Sequence, residues 1–194
     1  MRAKSSTGLA EDGAQPERRV FIRAPVLGDC EEFLALVGAS TRLHRGWASP
    51  PNRPEAFSEY VRRCQERDFE GFLVCRAEDE RIVGSFNLSQ IFYGNFQSAY
   101  MGYFVGEPFA RRGYMTEAMR LVLREAFGRL RLHRVEANIQ PANVASIALV
   151  ERAGFVREGF SRRYLKIAGR WRDHERWAIL AEDWRARVKG KTEG

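Results

Sequence analysis

The sequence predicts a single α/β domain over residues 18–184, and three observations predict it. Patterns of helical period and patterns of strand character alternate along the chain. Two of the strand pairs are joined by short turns and others by whole helices, which calls for a mixed sheet. The 194 residues, 44% hydrophobic and 29% charged, suffice for one sizeable core and read as a soluble globular chain.

Taken in order, residues 1–17 are polar and rich in small residues, the composition of a mobile arm. Residues 19–23 alternate and form a first strand, broken at Pro25. Asp29 then caps a helix through Phe33, Leu34 and Val37. Residues 40–53, with Trp47, Pro50 and Pro51, are irregular. Pro54 opens a second amphipathic helix through Phe57, Tyr60 and Cys64. Residues 71–76 and 81–88 make a hairpin across a charged turn, and a loop with Gly94 and Asn95 follows. Residues 134–139 form another strand. Asn143 opens a short helix that Gly154 closes. Residues 155–160, 163–167 and 174–180 are later strands, the last two a hairpin around Ala168 and Gly169. From Trp184 the chain reads as a loose basic tail, residues 185–194 lying outside the domain.

The stretch from 100 to 130 organises the rest. An apolar, aromatic strand at residues 100–105 leads through Gly106 and Pro108 to Arg111, Arg112 and Gly113. A helix follows whose stripe is Met119, Val122, Leu123, Ala126, Phe127 and Leu130. Strand, arginine–glycine loop and helix make an anion-binding layout: free N–H groups and the positive end of the helix dipole converge on a phosphate, and arginines add charge. No Gly-Lys-Ser/Thr follows, so this is no Walker loop, and the three-glycine dinucleotide fingerprint is absent.

The net charge of +7 favours acidic partners: a polyphosphate cofactor, nucleic acid or a ribosome surface. No apolar run reaches membrane-spanning length and the N-terminus has no signal-peptide core. Cys30, Cys64 and Cys75 form no CxxC pair and read as reduced thiols of a cytoplasmic protein, with Cys75 in the core. His44 and His133 show no ligand spacing, so no metal is expected.

Three segments carry a resemblance: A-R-R-G-Y-M-T-E-A at residues 110–118, N-V-A-S at 143–146 and E-R-A-G-F-V-R-E-G at 151–159. Together they are similar to the GNAT superfamily of acyl-CoA N-acyltransferases. Residues 164–174 (Y-L-K-I-A-G-R-W-R-D-H), 82–103 and 43–47 resemble the RimJ/RimL type of ribosomal-protein-alanine N-acetyltransferase, RimJ most. The resemblance spans about residues 18–184. It implies a mixed sheet of about seven strands with helices on both faces and acetyl-CoA in a V-shaped split between the 100–105 and 134–139 strands. Two departures stand out. Ala110 replaces the polar first place of the family loop, and Leu165 stands where RimL-type enzymes carry a glutamate.

Acetyl transfer to an amine needs a polarised thioester carbonyl, a neutral amine and a proton for the leaving thiolate. Arg111, Arg112, Gly113 and the N–H groups of Tyr114, Met115 and Thr116 suit the pyrophosphate of acetyl-CoA. Backbone N–H groups near Phe104, Val105 and Gly106 can serve the thioester oxygen, where one donor is worth roughly 3–4 kcal/mol. Asn138 and Asn143 are cofactor contacts by resemblance, Asn143 being also a plain N-cap worth ~1 kcal/mol. Ser146 occupies the place of the RimL-type acid serine, with Tyr164 and Tyr103 as other hydroxyl donors. Glu107 is the first candidate for the base, against the bland reading of a solvated turn carboxylate, and Asp173 with His174 is the second. Trp47, Phe92, Tyr93 and Tyr100 are candidates for an acceptor groove.

The implied activity is acetylation of a protein's N-terminal α-amino group, by resemblance the N-terminal alanine of a small-subunit ribosomal protein, by direct attack without an acyl-enzyme. The partners expected are a ribosomal protein or the ribosome, with no membrane, no direct DNA binding and a monomer or homodimer. Two alternatives stand beside this: an acetyltransferase of small amines (a polyamine, aminoglycoside or amino-acid derivative), and a basic ribosome- or RNA-binding module with a degenerate acetyl-CoA site.

Overall fold

A computed structural model of the chain describes residues 18–190; the expected N-terminal arm and the last four residues lie outside them. The chain runs β1 (Val20–Arg23), α1 (Cys30–Ala39), α2 (Thr41–His44), α3 (Pro54–Arg63), β2 (Phe69–Arg76), β3 (Ile82–Phe92) and β4 (Ser98–Val105). Then follow α4 (Tyr114–Phe127), β5 (Arg134–Ile139), α5 (Val144–Ala153), β6 (Val156–Ile167), β7 (Arg170–Leu180) and α6 (Ala181–Lys189). The seven strands form one sheet in the order β1-β2-β3-β4-β5-β7-β6.

Every neighbouring pair is antiparallel except β4–β5, which is parallel. That one parallel pair is short. Ser98, Ala99 and Tyr100 pair with Arg134, Val135 and Glu136, and there the pairing stops. Beyond it β4 keeps pairing with β3 as far as Val105, while β5 keeps pairing with β7 as far as Ile139. Each strand follows its other neighbour, so the sheet opens into the expected split, whose two edges carry unpaired backbone groups.

Side-chain alternation assigns the faces. Phe104 packs on Phe33 of α1, with ring centroids 6.1 Å apart, and Phe33 on Phe57 of α3 at 5.0 Å. The neighbouring Tyr103 points the other way and meets Ser146 of α5. Helices α1 and α3 therefore cover one face, and α5 with its neighbour α4 the other. The stripe read from the sequence is the buried side of α4: Met119, Val122, Ala126 and Phe127 are at most 3% exposed. Cys75 is buried in the core, as its apolar context requires.

Four local expectations change. Residues 41–44 form α2 inside the segment read as irregular. Asp29 precedes α1 but makes no side-chain cap bond to it. Its carboxylate turns back to Arg23 (2.6 and 2.8 Å) and to the Val26 N–H (2.7 Å). The strands expected at 155–160 and 163–167 are one strand, β6. Its register slips between Ser161 and Leu165, Arg163 takes φ 48°, and the Arg163 N–H donates to Asp173. The tail expected to be loose from Trp184 is helical to Lys189, because Trp184 packs on Phe127 of α4 (5.6 Å) and draws α6 onto the domain.

Candidate active site

The open edge of β4 comes first. The Gly106 N–H donates to the Val83 carbonyl (2.8 Å), which fixes the alternation of the ladder. In the β3–β4 register Gly106 and Phe104 therefore turn their backbone groups to β3, and Val105 and Tyr103 turn theirs to the split. This corrects the donor set expected from the sequence. Of Phe104, Val105 and Gly106, the Val105 N–H faces the split, and the Tyr103 N–H joins it from a residue singled out only for its hydroxyl. The reason is the two-residue period of the strand, which spends every other N–H on β3. Gly106 is glycine for a packing reason: a Cβ there would overlap Leu36.

The loop after β4 has the form an anion site needs. Arg111 takes φ 62° and Gly113 φ 83°, two left-handed residues in a three-residue turn that ends as the N-cap of α4. The N–H groups of Tyr114 and Met115 fall in the first turn of the helix and have no intrahelical acceptor, whereas the N–H of Thr116, expected beside them, is taken by the Gly113 carbonyl (3.0 Å). Arg111, Arg112 and Gly113 are exposed. The side chain of Met115 is buried and that of Tyr114 leans on Phe109 (ring centroids 6.3 Å), so both would serve a ligand only through their backbone. Arg19 holds the loop in place. It donates to the Arg112 carbonyl (3.2 Å) and, through Nε, to Glu117 (2.6 Å). Nothing in the local sequence around Arg19 links it to a loop more than ninety residues away, and it was not among the expected residues.

Across the split, Asn143 accepts from the Ser146 N–H (3.2 Å) and so caps α5. Its capping role is met by geometry. Ser146 then presents its hydroxyl to the hydroxyl of Tyr103, and Tyr103 also reaches the Ser146 carbonyl (3.3 Å). Burial pushes the Tyr103 phenol up to about 12, the bond to Ser146 pulling slightly the other way. Tyr103 is therefore a protonated donor at working pH.

The mouth of the split is bridged. Gln140, at the end of β5, donates its amide to the Gly46 carbonyl (2.7 Å), which pins the segment carrying Trp47. His44, set aside in the sequence, lies on the β4 edge. Its Nε2 is 2.6 Å from the Val105 carbonyl and its ring lies 4.5 Å from that of Phe104. Burial holds its pKa below the usual histidine value, against the opposing effects of the Val105 bond and the charge of Glu107. Glu107 is exposed on the turn after β4, its N–H bonded to Ser40 Oγ (2.8 Å).

The other expected residues are scattered. Asp173 binds the Arg163 N–H, and His174 is 3% exposed with Nδ1 near the Arg172 carbonyl (3.0 Å), a structural cluster beside the Tyr164 ring. Tyr100 is pushed up to about 12 by burial and by a bond to Tyr164, so these two hydroxyls meet on the α1–α3 face. Asn138 shares that face, its Oδ1 buried without a protein partner. Phe92 and Tyr93 lie with Phe96 at the β3–β4 turn, where Phe92 pairs with Ser98. That is the opposite end of β4 from Val105, roughly 20 Å along an extended strand. Trp47, at the mouth of the split, and these two do not form one pocket.

The acetyltransferase (GNAT) domain family matches residues 19–156, and the chain belongs to that family. Among curated proteins the chain is 35% identical over 171 residues to "Probable N-acetyltransferase YjcK" of Bacillus subtilis (strain 168), covering 88% of this chain and 87% of that protein. It is 36% identical over 107 residues to the [Ribosomal protein uS5]-alanine N-acetyltransferase of Escherichia coli (strain K12), a match spanning 55% of each chain. Among solved structures, Mycobacterium smegmatis RimJ in complex with CoA-disulfide superposes with a TM-score of 0.79 at 25% identity, covering 89% of each chain. Spermidine N-acetyltransferase from Vibrio cholerae, solved with CoA and spermine, superposes at 0.74 and 23% identity, covering 86% of this chain and 98% of that one. The chain is thus a GNAT-type acetyl-CoA N-acetyltransferase, similar to enzymes of the RimJ/RimL kind. No group of side chains suited to a metal ion and no helix long and apolar enough to cross a membrane occurs among the described residues.

Proposed function

We propose that this protein transfers the acetyl group of acetyl-CoA to the N-terminal α-amino group of a protein, in particular the N-terminal alanine of a ribosomal protein. The observation that carries the chemistry is the split itself: an open β4 edge with the Tyr103 and Val105 N–H groups on it, faced by the Ser146–Tyr103 hydroxyl pair. Arg111, Arg112, Gly113 and the N–H groups of Tyr114 and Met115 hold the pyrophosphate. The two split-facing N–H groups polarise the thioester oxygen, and Asn143 and Asn138 are contacts for the cofactor arm. Ser146, bonded to Tyr103, supplies the proton to the leaving thiolate. An α-amine with pKa near 8 is partly neutral at working pH, so direct attack needs no acyl-enzyme.

A cavity of about 680 Å³ opens beside Phe104 between α1, α2 and α3. Arg42 and Arg45 line it, and no carboxylate does among the described residues. Such a lining repels a polycation, which supports a protein terminus over a polyamine. The partial match to the uS5-alanine enzyme supports the same reading, and the surplus of basic residues suits a ribosomal partner in the cytoplasm.

The test is acetyl transfer from labelled acetyl-CoA to peptides beginning with Ala, Ser or Met, or carrying an internal Lys, beside a panel of small amines. Turnover confined to N-terminal Ala or Ser is expected. Turnover on polyamines or aminoglycosides alone would transfer the function to small amines while leaving the cofactor site intact.

A further inference from the structure

Resting on the acetyltransferase reading, we infer that His44 is the proton acceptor for the attacking amine. The assignment follows from one hydrogen bond and its chemistry. A backbone carbonyl only accepts, so the Nε2 that lies 2.6 Å from the Val105 carbonyl carries the hydrogen. In a neutral imidazole that leaves Nδ1 with a free lone pair. Val105 C=O thus holds the ring in one tautomer, while the N–H of the same residue stays free on the split as a thioester donor. A strand residue points both groups to one side, so the base and the oxyanion donor are both anchored at Val105. The Phe104 ring, 4.5 Å away and tilted by 47°, fixes its orientation, and the cavity that would admit the acceptor is lined by both His44 and Phe104.

The surroundings suit the role. Burial keeps the imidazole neutral at working pH, and Glu107, on the turn after β4, is the negative charge that favours the imidazolium once formed. Among the described residues, the other charged groups lining this cavity are Arg42 and Arg45 on the segment of His44, while α1 presents Val37, the α1–α2 junction Ser40 and α3 Ala56. Glu107 acts through His44 as a positioning charge.

The transfer balances. The neutral amine nitrogen attacks the thioester carbon and the C–N bond forms. Nδ1 of His44 takes, directly or through one water, the proton that nitrogen sheds. The C–S bond breaks, and the Ser146–Tyr103 pair gives its proton to the leaving thiolate. The imidazolium returns a proton to that pair through solvent, leaving amide, thiol and the starting enzyme.

The experiment compares wild type with His44→Gln, whose amide can still donate to the Val105 carbonyl but has no titratable nitrogen. The acceptor is whichever amine the wild type turns over. Acetyl-CoA affinity, measured by calorimetry, is expected unchanged, which reports an intact fold and cofactor site. kcat is expected to fall ~100-fold or more. The pH profile of kcat/KM separates this role from a structural one. In the wild type log kcat/KM rises with slope 2 below the imidazole pKa, which lies under ~6.5, and with slope 1 from there to the amine pKa near 8. His44→Gln keeps slope 1 throughout, and Glu107→Gln moves the lower break to lower pH. A His44→Gln enzyme within threefold of wild type, or one that keeps the lower break, overturns the assignment. Loss of that break in Glu107→Gln with His44 intact makes Glu107 the base instead. A wild type that binds acetyl-CoA yet turns over no amine overturns the parent reading and this one with it.

Discussion

Replacing Tyr103 by Phe removes one hydroxyl from the core of the split and leaves the ring in place. Tyr103 and Ser146 share a hydrogen bond across the gap between β4 and α5, so each variant alone disables the pair. A positioned acid contributes about 10²–10⁴ in rate. Tyr103→Phe and Ser146→Ala are each expected to lower kcat about 100-fold, followed as thiol released from acetyl-CoA. On the proposed shared-acid role the two act as a unit, so the double variant should lose about as much as either single one, not the product of the two. The structural cost is small. Ser146 is half-buried and its hydroxyl can turn to water, so Tyr103→Phe should cost about 0.5–1.5 kcal/mol, a fall in Tm of a few degrees for a chain of this size. Burial holds the Tyr103 phenol near 12, so no descending limb from its ionisation should appear in wild-type kcat below about pH 10. A double variant with multiplied losses near 10⁴-fold would refute the shared-acid reasoning. So would full activity in Tyr103→Phe.

Three further outcomes follow from named contacts. Arg112 is exposed and outside the core, so Arg112→Glu should leave thermal stability within about 0.5 kcal/mol while weakening acetyl-CoA binding by about 10–100-fold; unchanged binding in calorimetry would misplace the phosphate loop. Arg19→Ala removes a half-exposed ion pair worth about 0.2–1 kcal/mol and frees the Arg112 carbonyl, so cofactor affinity should fall less than in Arg112→Glu, with the loss entering through loop order. Asp29 is buried. Desolvation pushes its carboxyl up, but bonds from Arg23 and the Val26 N–H outweigh this and hold it below the usual range. Its folded pKa is depressed, so its stabilisation is complete above the unfolded value near 3.9 and is lost as pH falls through the folded one. Asp29→Asn should therefore cost about 1–3 kcal/mol at pH 7 in denaturant titration, and the gap to wild type should close as pH falls below about 4.

Much of the framework was legible because it rests on local periodicity. The stripe of α4, the strand at 134–139, Asn143 before α5 and Gly154 (φ 99°) after it are set by neighbours within a few residues. The hairpin at Ala168 and Gly169 was legible for the same reason, both residues taking positive φ. Short elements were not. The four residues of α2 are too few to show a period, and α6 is held by Trp184 on Phe127, a contact across more than fifty residues.

The sequence by itself determined the layout of strand, arginine–glycine loop and helix, the hydroxyl and amide residues that open α5, and the likeness to one acyltransferase superfamily. All of that is written in spacing along the chain. Only the tertiary structure decided which N–H groups of β4 are free, because that depends on the register with β3 and on where β5 leaves β4 to follow β7. It also decided that Arg19 braces the loop of residues 111–113, that Gln140 bridges the mouth, and that His44 sits on the Val105 carbonyl. These are through-space contacts between segments roughly sixty to ninety residues apart, and a periodicity confined to one segment carries no trace of them.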